Sequence, residues 1–358
     1  MSTMKILLTG ANGYIGGAVL DSLLTDDFIR VNKSNVSALT RASGAASVKA
    51  KGLEPIIFNS LDDTDVLAEL ASQHDIVIHC ASGFHTLSAR ALILGLAQRK
   101  KQTGNDVYYI HTSGTSNIAD RPISKKFSES NYPLSDKDDM FSYLKSRDSA
   151  VPYAQRTSDV VVTEVGVEYG VKTYIMMSPS LYGIGTDPLH EFCHTPILVR
   201  KSILLGNTPV VGDGAGSWDN LHVLDMARAY KLVLSKILSG SGADIPHGKD
   251  GVYFLQDGNH TWLELAQMVA KAGVEAGALK TTEPKQLSLE EATRVLTGGR
   301  NLLAEIGWAS NARTSGDKIR ALGWAPLRSA DFETHAALDW VNILEDIKAK
   351  EEVANSTR

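Results

Sequence analysis

The chain has 358 residues, 43% hydrophobic and 22% charged, with a formal net charge of -5, which is enough for a large core and the balance of an ordinary soluble globular protein. Its basic residues are dispersed, with no Lys/Arg block interleaved with aromatics, and no apolar run is long enough for a bilayer span, so neither nucleic acid nor a membrane is an expected partner. Two cysteines, Cys80 and Cys193, offer no disulfide framework and no Cys/His ligand spacing, which suggests a reducing compartment, the cytoplasm by default, and no metal.

Residues 4–9 form a short apolar run ending in Thr9-Gly10, and Ile15, Ala18, Val19, Leu23 and Leu24 then follow helical spacing. Strand, glycine turn and helix make a nucleotide-binding unit. Gly10 permits the tight turn, Gly13 lets the main chain approach a pyrophosphate, and Gly16 lets helix and strand pack closely. Asn12, Tyr14 and Ile15 lie in the same turn and are counted with the cofactor contacts. A chain that opens on this unit shows no charged and apolar leader, so none is expected.

Thr9-Gly10-x-x-Gly13-x-Ile15-Gly16 resembles the TGxxGxIG form of the extended short-chain dehydrogenases/reductases, a group that includes nucleotide-sugar epimerases and dihydroflavonol-type reductases. Leu322-Gly323-Trp324-Ala325-Pro326 is similar to the LGWxP element near their C-termini, so the resemblance covers most of the chain. It implies an α/β fold: a doubly wound parallel-sheet Rossmann domain over 1–185, to which 219–258 returns. Residues 186–218 and 259–350 form a smaller, mostly helical substrate-binding region. It also makes a homodimer plausible.

Residues 35–41 read as the second strand, and Arg41, Ser43 and Lys49 stand where an acid would bind the ribose of NAD. The pattern favours NADP(H), with NAD or a merely solvated basic loop as the alternatives. After a third strand at 55–60, Asp62 or Asp63 is either the family's contact to the adenine or a helix N-cap. The fourth strand runs into Cys80-Ala81-Ser82, small residues that resemble the family's segment beneath the cofactor. His79 reads as a core histidine and His85, just past the strand end, as a pocket residue.

The fifth strand, 107–115, ends in hydroxyls. The resemblance makes Ser113 the group that binds the substrate oxygen, with Thr112, Thr115 or Ser116 as replacements in another register. Residues 119–152 then read as a polar loop over the site, with helical patches such as 138–145.

The family expects Tyr-x-x-x-Lys next, the tyrosine as acid or base and the lysine lowering its pKa. Here Tyr153-Ala154-Gln155-Arg156-Thr157 puts Thr157 in the lysine position and Arg156 one residue early. Tyr143 with Arg147 is the rival. Pro152 and the helix length to Gly170 favour Tyr153.

Strand six leads into Ser178-Pro179-Ser180-Leu181-Tyr182-Gly183, which looks like the family's RPxxVYG, with Ser178 replacing the Arg; Ser178, Pro179 and Leu181 are the implied contacts to nicotinamide. Tyr182 and 186–194, including His190, are read as pocket wall. His190 and His194, four apart, lack a third ligand at metal spacing.

Trp218 stands where the epimerase segment GxGxxxRD holds an Arg that pairs with a nucleotide-sugar diphosphate. An indole cannot neutralise a diphosphate, whereas it can stack on a flat substrate or fill a seam. Asp225 is expected to cap a helix, 252–255 to rejoin the sheet, and the remainder to be helical. The leading reading is an NADP(H)-dependent reductase or dehydrogenase acting on a carbonyl or alcohol of a small molecule. An NAD-dependent epimerase or dehydratase and a non-catalytic NADP(H) sensor are the alternatives.

Overall fold

A computed structural model describes residues 4–25, 33–129, 131–185 and 193–356. In chain order it contains β1 (Ile6–Thr9), α1 (Tyr14–Leu24), β2 (Val36–Thr40), β3 (Pro55–Ile57), α2 (Thr64–Ser72), β4 (Ile76–His79), α3 (Thr86–Thr103) and β5 (Tyr108–Gly114). There follow α4 (Met140–Ala150), α5 (Ala154–Tyr169), β6 (Lys172–Ser178), α6 (His194–Leu205), α7 (Val223–Lys236), β7 (Val252–Phe254), α8 (Trp262–Glu275) and α9 (Phe332–Ser356).

The seven strands make one parallel sheet in the order β7-β6-β5-β4-β1-β2-β3. The chain starts in the middle, runs out to β3, then crosses back to β4. The reversal lies between β1 and β4, the point where a doubly wound sheet opens a ligand crevice beyond its carboxyl ends.

Period-two alternation divides the core. Leu7 joins Val77, Tyr109 and Ile175 on the face covered by α2, α3 and α5. Ile6 and Leu8 join Ile76, Ile78, Ile110 and Met176 under α1 and α7. Each such buried aliphatic side chain contributes about 1.5–3 kcal/mol, so the strand ends are held on a rigid base.

Beyond β6 the chain leaves this sheet. Ser180–Tyr182 pairs with Ser217–His222, which pairs in turn with Asn259–Thr261 in a small three-stranded sheet. Helices α6, α8 and α9 pack together as the C-terminal region, with Leu289–Thr297 and Asn301–Trp308 beside them. The last of these, Asn301–Trp308, lies in a stretch read only as generally helical. No described helix is long and apolar enough to cross a membrane.

The polar stretch before Tyr153 is more ordered than a loop. It contains α4, N-capped by Asp139, and a short pairing of Leu134–Ser135 with Thr314–Ser315. Pro152 separates α4 from α5, and α5 ends at Gly170 with φ 67.

Asp225 does not cap α7. The His222 ring does, with Nδ1 accepting the Leu224 N–H at 3.1 Å. Asp225 Oδ2 instead accepts the N–H groups of Leu327 and Arg328 at 3.1 and 2.9 Å, and the Trp324 indole N–H donates to the Asp225 carbonyl at 3.0 Å. The Leu-Gly-Trp-Ala-Pro element thus anchors the C-terminal region to the Rossmann domain.

Candidate active site

A cleft of about 750 Å3 lies beyond the carboxyl ends of the strands. Gly10, Asn12, Gly13, Tyr14 and Ile15 line its floor, Arg41 and Asp62 one end, and Cys80, Ala81, Ser178, Pro179 and Leu181 the other walls. Gly16 sits beneath the floor, where a Cβ would lie 2.2 Å from the Gly10 carbonyl oxygen. Gly10 itself has φ 71, and a Cβ there would lie 2.8 Å from the Cys80 carbonyl.

No side chain caps α1 at Gly13, and no acid stands in its first turn. Its leading N–H groups are therefore left for phosphate oxygens. The cradle fits a dinucleotide pyrophosphate. Asn12 Oδ1 accepts the Thr40 hydroxyl at 2.5 Å, which ties the turn to the end of β2, and the exposed Arg41 follows. Burial pushes the Cys80 thiol up to about 12, so it stays protonated and acts as small wall material. Ser82 does not line the cleft, because its hydroxyl turns back to accept the Phe84 N–H at 3.2 Å.

His85 lines the same cleft and reaches across to Asp62, Nε2 to Oδ1 3.0 Å. Asp62 also accepts the Ser60 hydroxyl at 3.1 Å, and together these bonds hold its carboxyl below the usual range, His85 contributing most. Neither acid bonds to the amides of α2: Asp63 turns to the Ser60 N–H at 3.1 Å.

The hydroxyls at the end of β5 divide. Ser113 is buried and donates to Asp159 Oδ2 at 2.8 Å, with Asn117 Nδ2 donating to both groups. Its hydroxyl thus belongs to an internal network and is not presented to a substrate. Burial pushes the Asp159 carboxyl up to about 7, against the hydrogen bonds of Ser113 and Asn117.

Ser116 is half-buried and turns the other way. Its hydroxyl donates to Gln155 Oε1 at 2.6 Å and accepts the Tyr153 hydroxyl at 3.2 Å. Gln155 abuts both Gly83, two residues past the cleft wall at Ala81, and Gly114 at the end of β5. Tyr153, Ser116 and Gln155 therefore converge beside the cleft. Gln155 had no distinguishing signal in the sequence.

Arg156 does not stand in for a lysine. Its Nη1 donates to the Asn117 carbonyl at 2.8 Å and its Nη2 to the Val151 carbonyl at 2.9 Å, which clamps the turn after β5 and the end of α4 onto α5. Thr157, in the lysine position, donates to Asp148 at 3.0 Å. With no ammonium beside it, Tyr153 has its pKa raised by burial, an effect that the Ser116 bond and Arg156 only partly oppose. Tyr143 is turned away and donates to Glu129 at 2.9 Å.

Two residues expected in the pocket lie elsewhere. Tyr182 is buried in the seam with α9 and donates to the Arg328 carbonyl at 2.6 Å. Trp218 is buried among His194, Trp262 and Trp308 and donates to Ser310 at 2.9 Å, so its indole fills the C-terminal core. His190 and most of the expected wall at 186–194 lie outside the described residues.

His222, Asp331 and His335 place potential ligand atoms within 4.8 Å of one another. The His222 Nδ1 lone pair, however, accepts the Leu224 N–H, so the ring proton sits on Nε2 and donates to His335 Nε2 at 3.2 Å. That tautomer leaves no lone pair on His222 for a cation.

The model of the NAD dependent epimerase/dehydratase family matches residues 6–245. An oxidase, ucsJ, from Acremonium sp is 30% identical over 91% of this chain and 93% of its own length. The dTDP-glucose 4,6-dehydratase of Haemophilus influenzae is 25% identical over 68% of this chain and 74% of its own. Among solved structures, a double mutant of the dTDP-glucose 4,6-dehydratase DesIV from Streptomyces venezuelae, with NAD bound, superposes with a TM-score of 0.65 at 20% identity, covering 95% of this chain and 97% of that one. The UDP-glucose 4-epimerase of Thermotoga maritima, with UDP-glucose, gives 0.62 at 18% identity, covering 96% of this chain and 100% of that one.

Proposed function

The chain belongs to the NAD dependent epimerase/dehydratase family, and from that premise we propose that it is an NADP(H)-dependent reductase or dehydrogenase acting on a carbonyl or alcohol of a small organic molecule. The observation that carries this reading is the pairing of Tyr153 with Ser116 beside the cleft, in the absence of the lysine. When bound, the reduced nicotinamide supplies a hydride to a carbonyl carbon. Ser116 turns its one hydroxyl proton from Gln155 Oε1 to the carbonyl oxygen, and Tyr153, released from Ser116, gives its phenolic proton to that oxygen as the alcohol forms. A buried phenol without a neighbouring ammonium stays protonated at neutral pH and serves as an acid, which favours the direction of reduction.

Arg41 supports the choice of NADP(H). It follows β2 at one end of the cleft, where an acid would repel a 2′-phosphate and a guanidinium attracts it. The same reading places the protein in the cytoplasm as a homodimer, in which exposed apolar side chains such as Leu87 on α3 and Val167 on α5 would be covered.

The test is oxidation of NADPH, followed by its near-ultraviolet absorbance, across a panel of small aldehydes and ketones. Turnover with at least one of them is expected. Tight NADPH binding with no turnover would favour the sensor, a reading that Thr157 and the locked Arg156 keep open. Turnover of a dTDP- or UDP-sugar without net consumption of nucleotide would favour an epimerase or dehydratase, the activities for which several relatives are named.

A further inference from the structure

Tyr153 and Ser116 also line a second cavity, of about 180 Å3. Its volume is close to the ~150 Å3 that accommodates a benzene ring and below the ~300 Å3 at which pockets for drug-sized ligands begin. Phe127, Leu302 and Ile306 give it apolar walls, and Ala150 and Val151 close the side formed by the end of α4.

Four cations also line it, Arg121, Lys126, Arg147 and Arg156, and no acidic side chain does. Glu305 lies 3.5 Å from Arg121, and Asp148 lies 3.6 Å from Arg156. Arg147 stacks on Phe127, its Cζ 3.7 Å from the ring centre, and donates to the carbonyls of Asn117 and Ala119. Glu129 reaches Arg147 only through the Tyr143 hydroxyl.

Arg147 and Lys126 thus have no carboxylate at ion-pair distance among the described residues. The Arg147 Nε–H is buried and makes no hydrogen bond, whereas the Nε–H groups of Arg121 and Arg156 face Glu305 and Asp148. A buried cationic donor without a partner, beside a second cation with no carboxylate and an apolar hollow, calls for an anion. Burial, and then the neighbouring Arg147, already hold the Arg156 guanidinium below its ordinary range.

We propose that this cavity is the substrate subsite and takes a small carboxylate with a flat apolar body, its charge held by the cationic wall and its reducible carbonyl at Tyr153 and Ser116. The proposal rests on the reading of that pair as the reacting end. A planar carboxylate matches guanidinium donors, and a single ring matches the volume.

The experiment is calorimetric titration of the whole protein, saturated with NADP+, with benzoate, benzamide and phenyl phosphate. No turnover is involved, so failure here leaves the reductase reading standing, and an inactive carbonyl panel leaves this result standing. Benzoate should bind saturably at millimolar concentration, with benzamide about tenfold weaker or more. Lys126→Met should weaken benzoate binding about fivefold, as suits a solvent-facing cation, and Lys126→Glu should weaken it further. Benzamide should be unaffected, and Lys126, being exposed, should tolerate both changes without unfolding. Equal affinity for benzoate and benzamide, absence of benzoate binding, tighter binding of phenyl phosphate than of benzoate, or indifference of benzoate to both Lys126 variants would each overturn the proposal.

Discussion

His85 Nε2 lies 3.0 Å from Asp62 Oδ1, and because His85 Nδ1 accepts the Ser88 N–H at 3.1 Å, the ring proton sits on Nε2 and points at the carboxylate. One imidazole therefore caps α3 and closes the cleft against the loop after β3. His85→Ala should lose the cap and destabilise the protein by about 1 kcal/mol. His85→Asn, a good cap too short to reach Asp62, should recover most of that loss. Asp62 has a depressed pKa, so its contribution is complete above the ordinary carboxyl value and fades only as pH falls below it. Urea denaturation of both variants at neutral pH checks this; equal losses for Ala and Asn would remove the cap from the account.

Arg41 should select the 2′-phosphate. A charge-assisted contact there is worth about 1.5–3 kcal/mol, or roughly 10–150-fold in affinity. Arg41→Ala should weaken NADPH by that factor and leave NADH nearly unchanged, as read from dissociation constants for the two nucleotides. A wild type that prefers NADH would move the assignment to the NAD of the structural relatives.

The cofactor half of the molecule was legible because its residues are chosen by backbone geometry. Gly10 and Gly16 are required by contacts that any Cβ would violate, and such requirements repeat from chain to chain. The reacting half was less so. A hydroxyl at a strand end points to one face or the other by position alone, and the string Thr-Ser-Gly-Thr-Ser does not say which. The fold sends Ser113 inward to Asp159 and Ser116 outward to Tyr153. Trp218 and Tyr182 misled for a related reason. Large aromatics suit a stacking platform and a core equally, and the partners that decide between them, Trp262, Trp308 and Phe332, lie about forty to one hundred and fifty residues further along the chain.

Asp159 should make stability fall with rising pH. Its folded pKa is pushed up to about 7, whereas the unfolded value is ~3.9. The folded state therefore holds the proton more tightly, and stability is lost between those values as pH climbs. His111, 3.6 Å away, acts with the opposite sign: burial holds its folded pKa well below the ordinary value, so stability is lost as pH falls through about 6.5, a contribution common to the wild type and to Asp159→Asn. Asp159→Asn keeps an acceptor for Ser113 and Asn117 but cannot titrate. The wild type should lose on the order of a few kcal/mol between about pH 5 and about pH 8 relative to that variant. Parallel stability profiles for the two proteins would show that the carboxyl titrates far from this window.

The division of labour between the two serines makes the sharpest expectation. Tyr153 and Ser116 share a 3.2 Å hydrogen bond beside the cleft, while Ser113 serves a buried carboxylate. Tyr153→Phe removes the proposed acid and should lower turnover about 10²–10⁴-fold. Ser116→Ala should also lower turnover, and both should keep their affinity for NADPH, whose cleft they do not line. Ser113→Ala should act differently. Taking a donor from Asp159 should cost about 1–3 kcal/mol of stability, while turnover per folded molecule stays near the wild-type value. Tyr143→Phe, which loses contacts to Glu129 and Arg147, should change turnover little. The measurements are steady-state rates, nucleotide affinity and denaturation midpoints on the four variants. A large loss of turnover in Ser113→Ala with full activity in Ser116→Ala would return the substrate oxygen to Ser113 and require its side chain to turn away from Asp159 when substrate binds.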